Sequence, residues 1–285
     1  MKPLSPYEAA GEGFRLIRRE PRAFLVWTVI WFLTFSLAAW TVAVSRPVAF
    51  AGPTPASLQG ISERFGPYSL LLMALFSVVW LVTAVAAFRA VLRPAERRGF
   101  YLRLSLDELR LAGVTLGAFF VAIPFGVAPA YLVFLLATPF MHAMPTATGV
   151  IRWIGVFLTI CLDIWLGVRL SLIAVETFSE RRFHLTAYWP VTRGRFWYLL
   201  VAYFLFFLVF LGLTVIFALL IGLLLSVGAA PSAGVAARGG LLVQAGVLTA
   251  LTSLSWTLSS TLFYACQAHA FRDIIGEGRA GVPPV

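Results

Sequence analysis

Asp163 is the residue whose surroundings most demand a chemical explanation. It lies within Trp153-Ile-Gly-Val-Phe-Leu-Thr-Ile-Cys-Leu-Asp-Ile-Trp-Leu-Gly-Val-Arg169, a stretch otherwise apolar enough to cross a bilayer. A carboxylate at that depth costs about 2.5–3.5 kcal/mol on insertion scales. It is therefore expected to be protonated, paired, or turned toward water inside a helix bundle. Structural pairing and use in a proton or solute pathway are both open readings. Arg169 follows six residues later, about 9 Å along a helix. Six is not a same-face spacing, so pairing within the span is disfavoured. A partner from another helix is expected instead, with Arg89, Gln267 and His269 as candidates.

A second polar feature runs through Ser253, Thr257, Ser260, Tyr264 and Gln267, spaced four, three, four and three apart. That spacing draws one seam along a helix, and hydroxyl seams normally face neighbouring helices as hydrogen-bonding glue. The functional alternative is a polar cavity lined by this seam with Asp163 and Arg169. His269 and Asp273 form an i, i+4 pair that reads as a helix-end contact. The three histidines (His142, His184, His269) stand apart, and HExxH, GxSxG and phosphate-loop patterns are absent. Gly276-Glu-Gly-Arg-Ala-Gly281 matches GxGxxG literally, but its Pro/Gly-rich context offers no βαβ unit. No catalytic residue, metal site or cofactor is therefore assigned, and a non-enzymatic role is expected.

These residues must be positioned by membrane-spanning helices. The chain is 60% hydrophobic and 12% charged, against roughly 25% charged in soluble domains. Six spans are read at 23–44, 68–91, 112–138, 149–177, 197–227 and 240–270, with 1–22 as an N-terminal segment and 271–285 as a tail. The span at 23–44 reads as an uncleaved anchor, too long for a signal h-region of about 7–15 residues. Pro124 and Pro129 predict a kinked or broken third span. Cys161 and Cys266 fall in different spans and are not expected to pair.

Arginine placement predicts orientation. Lys2, Arg15, Arg18, Arg19 and Arg22 precede span one. Arg93, Arg97, Arg98, Arg103 and Arg110 follow span two, and Arg181, Arg182, Arg193 and Arg195 follow span four. The alternate loops carry only Arg46 and Arg64, then none between 139 and 150, then Arg238. Retention of positive charge in the cytoplasm puts both termini inside. The net charge of +10 thus calls for no nucleic acid. It suits anionic lipid headgroups, at about 1 kcal/mol per basic residue near the surface, with Arg97, Arg98, Arg181, Arg182, Arg193 and Arg195 as the headgroup candidates.

The basic segments also repeat. Glu96-Arg97-Arg98-Gly99-Phe100 and Glu180-Arg181-Arg182-Phe183 are each followed by an arginine ten residues after the phenylalanine, Arg110 and Arg193. Phe14, Arg15, Arg18, Arg19 and Arg22 make a looser third copy. In the first copy Tyr7, Ala10, Phe14 and Ile17 share a helical face, with Glu8, Glu12, Arg15 and Arg19 elsewhere. In the second, Leu102, Leu106, Leu109 and Leu111 alternate with Arg103, Asp107, Glu108 and Arg110. The expected fold is all-α: six transmembrane helices as three hairpins, each preceded by a cytoplasmic interfacial amphipathic helix.

Pro21-Arg-Ala-Phe24 after an Arg-rich helix, Val175-Glu-Thr-Phe-Ser-Glu-Arg-Arg182 and Trp189-Pro-Val-Thr-Arg-Gly-Arg-Phe-Trp197 give a resemblance across nearly the whole chain. It resembles bacterial six-helix membrane proteins of the glycerophosphoryl diester phosphodiesterase membrane-domain type. In that family the diesterase chemistry sits in a separate barrel domain, so the resemblance carries no catalytic residue onto this chain. Together these features predict a multi-pass protein of the bacterial inner membrane that engages anionic phospholipid in scaffolding or lipid homeostasis. The alternative is a small-solute or proton-coupled transporter using Asp163. Protein partners are not legible.

Overall fold

The computed structural model describes residues 5–45, 55–103, 105–138, 145–180, 192, 194–228 and 235–280. Among them the regular elements are all helical. They are α1 (Pro6–Arg19), α2 (Pro21–Ser45), α3 (Pro55–Leu92), a 3-10 turn (Arg98–Tyr101), α4 (Leu106–Ala137), α5 (Pro145–Leu170), α6 (Ile173–Glu180), α7 (Phe196–Gly228) and α8 (Val235–Ala280). Four stretches are long and apolar enough to cross a membrane: Pro21–Thr41, Tyr68–Leu92, Gly149–Glu180 and Phe196–Leu224. This marks the chain as a membrane protein. The segments 112–137 and 240–270 are helical too, inside α4 and α8.

The chain forms two compact units, one of Ala10–Arg103 with Leu205–Ala265, the other of Met1–Ala9, Leu104–Phe204 and Cys266–Val285. In the first, the core is aromatic. Trp31 packs 5.6 Å from Phe35, 5.9 Å from Phe76 and 5.5 Å from Trp256, joining α2, α3 and α8. Farther along, Tyr264 meets Trp80, Phe88 and Phe263 edge-on. Edge-to-face ring pairs of this kind add about 0.5–1.5 kcal/mol each beyond the area they bury. Gly13 sits against α8: a Cβ there would meet Leu262 Cα and Cδ2 at 2.6 Å. Only glycine permits that approach.

In the second unit α4 and α5 pack closely, Gly155 lying where a Cβ would overlap Val133. Val114 and Ile173 form a small core with Ala118 and Leu170 beside it.

Four features of the structure bear on these expectations. First, α1 is a separate helix because Pro21 has no amide proton and disfavours helical geometry at Glu20. The side it packs against the protein is a different one from the Tyr7–Phe14 face. Ala9, Glu12, Gly13, Leu16 and Glu20 turn inward, while Tyr7 (73% exposed) and Phe14 (39% exposed) face out. The reason is packing: the small residues Ala9 and Gly13 allow close approach on that side.

Second, among the described residues no separate amphipathic helix precedes α4. Leu102 is extended (φ −82°, ψ 113°), and the helix starts at Leu106, continuous with the span that follows. Ser105 caps it: Oγ accepts from the Asp107 amide at 3.2 Å. Glu108 reaches back to the Ser105 amide at 2.7 Å and hydroxyl at 2.6 Å. Such caps stabilise a helix start by about 1 kcal/mol. This contact buries Glu108, which the periodicity had put on a polar face. The corresponding third segment, 181–191, lies outside the described residues.

Third, α4 is one continuous helix through Pro124 and Pro129, so of the expected kinked or broken span the broken form does not occur. Fourth, the interruption falls in the fourth expected span, where Ser171 and Leu172 form a turn between α5 and α6. Cys161 and Cys266 are free thiols, as expected.

Candidate lipid-headgroup interface

In the first unit the loop after α3 is held by side chains from three directions. Glu20 stands at the corner between α1 and α2. Its amide still bonds the Leu16 carbonyl at 2.8 Å, and its own carbonyl accepts from Phe24 at 3.1 Å, so the corner is stiff. Its buried carboxylate accepts from Arg97 Nη2 at 2.7 Å and from the Tyr101 hydroxyl at 3.4 Å. Burial raises the Tyr101 pKa above that of a free phenol, and the Glu20 carboxylate raises it further. The hydroxyl therefore stays a donor at neutral pH.

The backbone beneath is strained. Gly99, Phe100 and Tyr101 have φ of 63°, 57° and 67°, a left-handed run that only glycine adopts without penalty. Non-glycine residues in that region cost about 1–3 kcal/mol each and persist only where surrounding contacts fix them. Here three contacts do so. Trp27 Nε1 donates to the Phe100 carbonyl at 3.1 Å. Arg89 Nη1 donates to the Tyr101 carbonyl at 3.0 Å and to the Arg103 carbonyl at 3.3 Å. Arg19 Nη2 donates to the Ala90 carbonyl at 2.9 Å, tying α1 to the end of α3.

With its carbonyls taken from inside, the loop exposes Arg98, Phe100 (44% exposed) and Arg103. None of the described residues pairs with the guanidinium of Arg98 or Arg103. A fixed aromatic tip flanked by uncommitted arginines suits the boundary between headgroups and acyl chains.

The expected headgroup candidates therefore divide. Arg98 is exposed and open; Arg97, though 67% exposed, is committed to Glu20. The side chain of Arg195 is half-buried and has a partner. Arg181, Arg182 and Arg193 lie outside the described residues.

The intramembrane candidates divide as well. Arg89 is a buried clamp on backbone carbonyls. Arg169 Nη1 donates to the buried Thr192 hydroxyl at 3.0 Å, with its guanidinium 5.8 Å from the Trp165 ring. The span-six hydroxyls turn back on their own helix: Ser253 donates to the Thr249 carbonyl at 2.6 Å, Thr257 to Ser253 at 2.7 Å, and Ser260 to Thr257 at 3.1 Å. Tyr264 is buried among rings. Gln267 is buried nearby in sequence, its Oε1 lacking a donor among the described residues. His269 Nε2 lies 3.3 Å from Asp273 Oδ2, and Arg272 reaches its Nδ1 at 2.7 Å. Tyr198 adds a 3.4 Å hydrogen bond to the same Asp273 oxygen. The helix-end reading of this pair thus extends to a four-residue cluster. Asp163 is exposed, and no described residue gives it an ion pair or hydrogen bond.

Sequence reasoning missed Glu20 as an anchor and Glu176 as a buried carboxylate on α6. The signal available for Glu20 was an acidic residue directly before Pro21, at the break between two helices; no sequence pattern marked Glu176 as buried. Among the described residues no cluster of metal-ligating side chains occurs. Comparison with protein-family models, with curated proteins and with solved structures finds no match for this chain.

Proposed function

We propose that this chain is a six-span protein of the bacterial cytoplasmic membrane, with both termini inside. It serves as a non-enzymatic scaffold or lipid-homeostasis protein that engages anionic phospholipid. The spans are 23–44, 68–91, 112–138, 149–177, 197–227 and 240–270, arranged as three hairpins. The resemblance to the membrane domain of glycerophosphoryl diester phosphodiesterases belongs to the same proposal. What carries the reading is the clamped loop at 98–103. Its strain is offset by Trp27 and Arg89, and the product of that arrangement is an outward Arg-Phe-Arg surface next to a span end. The outward Tyr7 and Phe14 of α1 supply further interfacial aromatics.

Native mass spectrometry tests this. Wild-type protein taken from membranes is expected to retain phosphatidylglycerol or cardiolipin in preference to phosphatidylethanolamine. The Arg98→Gln/Arg103→Gln variant is expected to lose most of that retention, about 1 kcal/mol for each charge. Equal retention by both proteins would refute the reading.

A further inference from the structure

Glu176 is a buried carboxyl that engagement of lipid does not explain. It is 6% exposed on α6, and none of the described residues donates to its Oε2. The charge that acts on it is that of Glu180, one turn further along and also negative. An unpartnered charge is costly to bury, and such a group is neutralised instead. The charges on the neighbouring elements are committed elsewhere. α6 packs on α4, where Arg110 pairs with Asp107 at 3.1 Å. Glu108 accepts from the Ser105 amide and hydroxyl, and α4 carries no charged residue from Leu111 to Ala137. On α5, Arg169 donates to Thr192 at 3.0 Å, and Asp163 lies farther back. From α7 the Tyr203 hydroxyl comes beside Ser171.

The segment that carries Glu176 is short and jointed. α6 has eight residues and joins α5 through the turn at Ser171 and Leu172. Ser171 Oγ donates to the Val168 carbonyl at 2.8 Å, closing α5. The Glu176 amide donates to the Leu172 carbonyl at 2.9 Å, opening α6. A turn between two helix ends is where a hinge absorbs backbone change. The apolar contact opposing motion is small: Ile173 meets Val114 of α4, with Ala118 and Leu170 beside them.

We propose that Glu176 is a proton-binding site, and that α6 lies on α4 while the proton is bound. A proton from water neutralises the carboxylate. When that proton returns to water, the buried charge beside Glu180 drives α6 to swing at Ser171–Leu172 until the carboxylate is hydrated. The packed form prefers the neutral acid and the released form the carboxylate. Raising the pH therefore shifts the population toward release. The inference does not depend on lipid engagement by the 98–103 loop.

Infrared difference spectra of the intact chain in bilayers, acid against alkaline pH, test the site. A carboxylic-acid carbonyl band is expected in acid and lost in alkali. Glu176→Gln is expected to abolish it, and Asp163→Asn to keep it. Nitroxides at Leu109→Cys on α4 and Ser179→Cys on α6, in a Cys161→Ser background, test the hinge. Their separation, read by electron spin resonance, is expected to lengthen in alkali and to stay short at every pH in Glu176→Gln. Glu180→Gln leaves Glu176 in place and serves if Glu176→Gln does not fold. It is expected to keep the band and to release a smaller fraction of α6 in alkali. A spectrum without the band, or a band that survives Glu176→Gln, would overturn the proton site. A label separation that ignores pH, or release undiminished by Glu180→Gln, would overturn the coupling to α6.

Discussion

Arg89 shows how a single side chain can hold a strained segment. It is buried at 2% exposure, and its guanidinium satisfies two carbonyls that would otherwise face the interior unpaired. Hydrogen bonds to charged groups contribute about 1.5–3 kcal/mol. Arg89→Met is therefore expected to lower the thermal unfolding midpoint in detergent markedly, and Arg89→Lys to rescue it little, because a point charge cannot span both carbonyls. An unchanged midpoint for Arg89→Met would contradict this role. Glu20 and Arg97 should behave unequally. Glu20→Ala leaves the buried Tyr101 hydroxyl without its acceptor, so it is expected to destabilise more than Arg97→Ala. The coupling between the two, from a double-mutant cycle, is expected at about 1 kcal/mol or less since Arg97 is largely in solvent. At this scale the sequence marked Arg89 as an intramembrane cation yet gave no hint of its target. Carbonyls turned inward by a left-handed loop have no signature in apolar periodicity; Gly99 was the only local cue.

At the scale of elements, the Pro21 boundary of α1 and the positions of the long apolar helices were legible. Proline chemistry and hydrophobic runs act locally, within a few residues of where they are read. The inner face of α1 was not legible. Periodicity ranks side chains by polarity, whereas the structure packs α1 through its small residues and buries Glu12 alongside them. Gly13→Ala tests this directly. The added methyl would meet both the Leu262 backbone and its side chain at 2.6 Å, so stability is expected to fall. Leu262→Ala should not restore it, because Leu262 Cα stays in place. Full rescue by Leu262→Ala would show that the contact is softer than described. The capping box at Ser105 and Glu108 explains in the same way why the second amphipathic segment merges with the following span. Once Ser105 fixes the start, nothing in Asp107–Leu111 interrupts the helix.

For the whole molecule, composition and helix length identify a membrane protein, and the arginine bias predicts cytoplasmic termini. A green fluorescent protein fused after Val285 is expected to fluoresce, while an alkaline phosphatase fusion at the same point is expected to be inactive; the reverse pattern would invert the topology. The basic pair Arg97 and Arg98 was readable in the sequence. Its structural consequence depends on long-range anchors, Trp27 and Glu20, about 70–80 residues away in sequence, which no local pattern encodes. Those anchors make Phe100 the point where the lipid reading can be checked most directly. A nitroxide at Phe100→Cys, in a Cys161→Ser background, reports its depth through collision with oxygen or a water-soluble nickel complex. In bilayers containing phosphatidylglycerol the label is expected to sit at the headgroup–acyl boundary, favouring oxygen, and to become more water-accessible when Arg98 and Arg103 are replaced by Gln. A label equally open to the nickel complex in both proteins would contradict the account.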